Sequence, residues 1–75
     1  MARCTVVIAG RTWEMGLGQV QGLLRVASEQ VPEGIYALQK GNHFEMRNDH
    51  MTRTKLKEAR RNYKAQGFKV YCNGL

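Results

Sequence analysis

At 75 residues the chain, residues 1–75, has room for one small domain with a modest core and none for a second unit. An apolar fraction of 43% argues against a disordered tail, and no apolar run approaches the roughly 20 residues needed to span a bilayer. The net charge of +6, with a pI near 9.8, favours polyanionic partners: nucleic acid, a nucleoprotein complex or an acidic protein face.

The opening MARCTVVIAGRTWEMG offers one arginine and a short apolar run, interrupted by Arg11, Trp13 and Glu14 before any cleavage-like site. It reads as no signal peptide, so a cytoplasmic (intracellular) location is expected. Cys4 and Cys72 have no metal-ligand partner at short spacing and are expected to be reduced thiols of the core.

RCTVVIA, Arg3 to Ala9, is β-branched and unbroken, which predicts a buried central strand ended by Gly10. LGQVQGLLRVASEQV then spaces Leu17, Val20, Leu24, Ala27 and Val31 as the stripe of an amphipathic helix. That helix starts either at Trp13, capped by Thr12, or near Leu17, and Pro32 and Gly34 stop it. IYALQ and HFEMR flank the turn KGN and predict a hairpin. Asp49 or Thr52 can cap a second helix with Leu56, Ala59 and Tyr63 on one face and Gly67 as its stop. FKVYC closes the chain as a strand alternating Phe68, Val70 and Cys72 against Lys69 and Tyr71.

The order β-α-β-β-α-β predicts an α+β ferredoxin-like sandwich, with two helices on one face of a four-stranded antiparallel sheet. In that topology the last strand lies beside the first, so Cys4 and Cys72 would be neighbours on the core face. The competing layout is a β-β-α unit made of the hairpin and the second helix, with the N-terminal half as an add-on.

TRTKLKEARRNYKAQG, Thr52 to Gly67, carries six of the twelve basic residues against one acid, Glu58. At about 100° per residue, Arg53, Lys57, Arg60, Arg61 and Lys64 share an arc about 100° wide beside the apolar stripe. Glu58 falls on the far flank, with Lys55 apart from the others. A merely solvated helix usually mixes signs, because like charges four apart repel by a few tenths of a kcal/mol. Arg53–Lys57, Lys57–Arg61 and Arg60–Lys64 are all such pairs, so the arc reads as a binding face. With Phe44 and Met46 in the core, His43, Glu45, Arg47, Lys69 and Tyr71 turn outward, and Arg47, Lys69 and Tyr71 can extend that surface.

Lys40, Gly41 and Phe44 of KGNHFEMR resemble the third-strand signature of the RNA recognition motif family, which would imply base stacking on the sheet face. Asn42 stands where that signature has its first aromatic, and CTVVIAG has no stacking aromatic, so the aromatic platform is missing. GQVQGLLR resembles the phosphate-cradling turn of acylphosphatases and would make Arg25 an anion holder. It is one residue short before Arg25, and no match to that family's catalytic asparagine follows.

His43 and His50, with Glu45 and Asp49 near them, fall short of a metal site, and no serine or cysteine has a base at its side. No cofactor and no catalysis are expected. Trp13 with Met15 can anchor a protein partner, though the simpler expectation is a lid over the small core. Two functions follow from the residues. One is a non-catalytic nucleic-acid-binding module gripping DNA or RNA phosphate through the basic helix. The other is a small inhibitor or accessory factor of the kind bacteriophages and mobile elements encode, docking on an acidic host protein.

Overall fold

The computed structural model describes residues 3–75; Met1 and Ala2, part of the segment read for a leader, lie outside the described residues. The chain runs β1 (Arg3–Ile8), β2 (Arg11–Gly16), α1 (Leu17–Gln30), β3 (Gly34–Lys40), β4 (His43–His50), α2 (Arg53–Ala65) and β5 (Lys69–Asn73). β1 forms where the β-branched run predicts it. Gly10 does more than end that strand: Ala9 and Gly10 both take positive φ, 50° and 79°, the pair of left-handed conformations that a two-residue type I′ hairpin turn requires. The chain therefore doubles back, and RTWEMG is a strand rather than a helix entrance. α1 starts at Leu17, where the Gln19 Oε1 accepts a 3.0 Å hydrogen bond from the Gly16 amide.

The sheet order is β2-β1-β4-β3-β5. β1 pairs antiparallel with β2 and parallel with β4, while β3 pairs antiparallel with both β4 and β5. This corrects the ferredoxin-like expectation: the sheet has five strands, is mixed, and sets its last strand beside β3. The physical reason is the extra hairpin. β2 occupies one edge of β1 and β4 the other, so β1 has no free edge left for β5, which pairs with β3 instead.

Register places the helices in separate layers. Val6 aligns with Phe44, and Ala37 with both Met46 and Tyr71, so these side chains share one face. There they pack with Cys4 and with Val20, Leu23 and Leu24 of α1. Leu38 aligns with Val70, and Ile35 with Cys72, on the opposite face. These pack with Leu56, Ala59 and Tyr63 of α2. A register shift between Ile35 and Ala37 lets β3 bury Ile35 on one side and Ala37 on the other. The helices thus lie on opposite faces, not on one, with α1 reaching β1, β2, β3 and β4 and α2 reaching β3 and β5.

Cys4 and Cys72 are both free. β4 and β3 stand between their strands, three strand spacings or about 14 Å, and they belong to opposite layers, so the expected contact is absent. The competing layout describes the second half in part, since β3, β4 and α2 do run β-β-α. The N-terminal half is not an add-on, however: β1, β2 and α1 repeat that order, and the β1–β4 pairing fuses the halves into one sheet.

Among the described residues, no helix is long and apolar enough to cross a membrane.

Candidate functional site

α2 is fixed from inside and from both ends. Leu56 is fully buried, and Ala59 and Tyr63 continue its stripe onto Ile35 and Leu38. The Leu56 amide donates to the Thr52 carbonyl at 2.8 Å, closing the first turn behind the N-cap, Thr52. At the other end the Gly67 amide donates to the Lys64 carbonyl and the Phe68 amide to the Tyr63 carbonyl, at 3.0 and 3.1 Å. With Gly67 at φ 91°, this is a Schellman stop. Its usual apolar clasp is present, since the Tyr63 and Phe68 rings meet edge to face at 5.9 Å. The helix cannot roll without tearing this anchor, so the direction of its outer face is set.

On that outer face Arg53, Lys57, Arg61 and Lys64 are exposed, and Arg60 is partly buried. Lys57, Arg60, Arg61 and Lys64 line one groove of about 480 Å³ with Leu75, beyond the end of β5. Arg53 belongs to the same arc, one turn nearer the helix start, but lies outside the groove. The Arg60 Nε is buried and, among the described residues, has no hydrogen-bond partner. Glu58 lines a different groove with Lys55 and Asn62, so it does not face the arc. Among the described residues, the ion pairs are those of Arg47 alone, and none involves α2.

Arg47 is accordingly the member of the expected surface that is already engaged. Its Nη1 lies 2.9 Å from Glu45 Oε1 and its Nη2 2.7 Å from Asp49 Oδ2, all three side chains projecting from the same side of β4. Partial burial alone would lower its pKa, but the hydrogen bonds to Asp49 and Glu45 outweigh that and hold it above the ordinary guanidinium value. The guanidinium also lies 6.0 Å from the Tyr63 ring, so it braces the helix against β4.

Lys69 and Tyr71 stand on the other face. They align with Gln39 and Ala37 and so share the layer of α1. The Lys69 ammonium lies 5.0 Å over the Tyr71 ring, and the Tyr71 hydroxyl donates to Gln39 Oε1 at 2.6 Å. They meet the basic arc only around the edge strand β5. Tyr36 joins them, its ring 6.1 Å from that of Tyr71. Its hydroxyl pKa is pushed up, first by burial and then by its neighbours Cys72 and Tyr71.

Two features escaped the sequence reading. Leu75 closes the groove, and nothing local marks a terminal residue as a wall. Trp13 is no lid: it sits 46% exposed on the edge strand β2, while Met15 packs on the core. The alternation in RTWEMG was the available signal. Arg25 lies within α1, as the helical stripe of LGQVQGLLRVASEQV predicts, and not on the turn that the acylphosphatase resemblance would need. Among the described residues, no three His, Cys, Asp or Glu side chains cluster as metal ligands would.

No family model, curated protein or solved structure matches this chain.

Proposed function

We propose that this protein is a non-catalytic nucleic-acid-binding module that grips the phosphate backbone through Arg53, Lys57, Arg60, Arg61 and Lys64 of α2. The observation that carries the reading is the missing counter-charge: the five cations share one arc of a firmly anchored helix, and among the described residues no carboxylate pairs with any of them. Leaving like charges side by side costs stability that one acidic substitution would restore. Phosphate oxygens from a ligand supply the absent partner, and release of their counterions drives binding. The arc offers ammonium and guanidinium groups to a backbone; it positions rather than reads sequence. Arg47 is left out of this grip because Glu45 and Asp49 hold it. Lys69 and Tyr71 extend the surface only for a ligand that rounds the β5 edge.

A gel-shift titration at low salt against single- and double-stranded DNA and RNA tests the reading. Binding strongly weakened on replacing Arg53, Lys57 and Arg61 together by Ala supports it. No binding to any nucleic acid overturns it, and capture of a partner from nuclease-treated lysate through the same three residues would instead assign the arc to an acidic protein.

A further inference from the structure

We infer that the β2 edge is a self-association surface, on which a second copy of this chain pairs strand to strand, antiparallel, about Trp13. The inference is independent of what α2 binds.

The two-residue turn at Ala9–Gly10 makes Ile8–Arg11 a hydrogen-bonded pair. Antiparallel ladders alternate, so Val6–Trp13 and Cys4–Met15 are the other bonded pairs along this register. Thr12 and Glu14 therefore turn their backbone amides and carbonyls outward, away from β1. β2 is an edge of the sheet, and Arg11, Thr12, Trp13 and Glu14 are all exposed. Beside this edge stand Trp13 at 46% and Leu17 at 50% exposure. A large exposed aromatic next to open strand hydrogen-bonding groups is what proteins avoid unless something covers it.

The occupant follows from symmetry and charge. A two-fold axis through Trp13 sets Trp13 against its own copy and Thr12 against Glu14 of that copy. The outward groups of Thr12 and Glu14 then form the two bonded pairs on either side of the centre, and the two indoles meet on one face. No side chain is set against its like charge in this register. The other sheet edge excludes such pairing, because β5 carries Lys69 and is flanked by the groove of Lys57, Arg60, Arg61 and Lys64. Two copies meeting there would oppose cation to cation. For a chain of net charge +6, β2 is the edge where a copy can approach, since it carries Glu14 and its Arg11 guanidinium lies over Trp13, 5.1 Å from the ring. The contact is smaller than a permanent interface, so a dissociation constant on the order of 100 μM is expected.

Sedimentation equilibrium from about 10 μM to 1 mM spans that constant. The wild-type chain is expected to shift from monomer to dimer across the range. Trp13→Lys is expected to stay monomeric with an unchanged circular-dichroism spectrum. Cross-linking tests the register in a Cys72→Ala background. On oxidation, a mixture of Thr12→Cys and Glu14→Cys chains should give a disulfide-linked dimer at least tenfold faster than either variant alone, because the register sets position 12 opposite position 14 of the copy and keeps Trp13 in place. A wild-type chain monomeric to 1 mM, an unchanged dimer in Trp13→Lys, or cross-linking no faster in the mixture than in either variant alone overturns the inference.

Discussion

Val6 and Phe44 face each other across the parallel seam between β1 and β4, 0% and 1% exposed, with Val20 of α1 packed on both. That contact joins the two β-β-α halves, since β1–β4 is the only strand pairing between them among the described residues. Phe44→Ala should therefore cost about 3–5 kcal/mol. A domain of this size holds roughly 4–11 kcal/mol in total, so the variant should lose from about a quarter of its stability to all of it. Urea denaturation followed by circular dichroism checks this. A loss under about 1 kcal/mol would mean that the seam does not carry the core.

The β1–β2 turn gives a second test. Ala9 adopts φ 50°, a conformation that costs an L-residue other than Gly, Asn or Asp about 1–2 kcal/mol. Ala9→Asn creates the Asn-Gly pair that type I′ turns favour. The variant should gain about 1 kcal/mol, seen as a rise of roughly 5 °C in Tm. An unchanged or lowered Tm would speak against the turn.

This turn also explains what the sequence left hidden. β1, α1, the KGN hairpin, α2 with its Gly67 stop and the final strand all announce themselves by periodicity or by punctuation. β2 does not: its turn uses Ala9 in place of Asn or Gly, and its outer groups face solvent, so RTWEMG carries only a weak alternation. Missing that one strand misplaced β5, because a strand order missing its edge leaves β1 free to accept β5. The sides taken by the helices went wrong with it, since a helix buries its stripe on whichever face its neighbouring strands present. The cation arc survived these errors because it depends only on spacing within α2 and on Leu56, Ala59 and Tyr63 pointing inward.

Tyr36 gives the alkaline limb of stability. Its folded pKa lies above the ordinary 10.0, burial being the main cause. The unfolded chain then loses this proton first as pH rises. The stabilisation is present below about pH 10 and is lost as pH climbs through the folded value. Tyr36→Phe removes this titration, so the variant's stability should fall less steeply above pH 10 than that of the wild type. Parallel slopes in urea titrations at pH 9, 10 and 11 would show that Tyr36 does not titrate differently on folding.

The salt dependence of nucleic-acid affinity tests the cation arc most directly. Fluorescence anisotropy with a labelled oligonucleotide, plotted as log K against log salt, should give a slope of about −3.5 to −4.5 for five phosphate contacts. Replacing Arg53, Lys57 and Arg61 by Ala should make it shallower by roughly 2 to 3 units while the fold is kept. A wild-type slope near zero, or one that the triple variant leaves unchanged, would contradict phosphate recognition by α2.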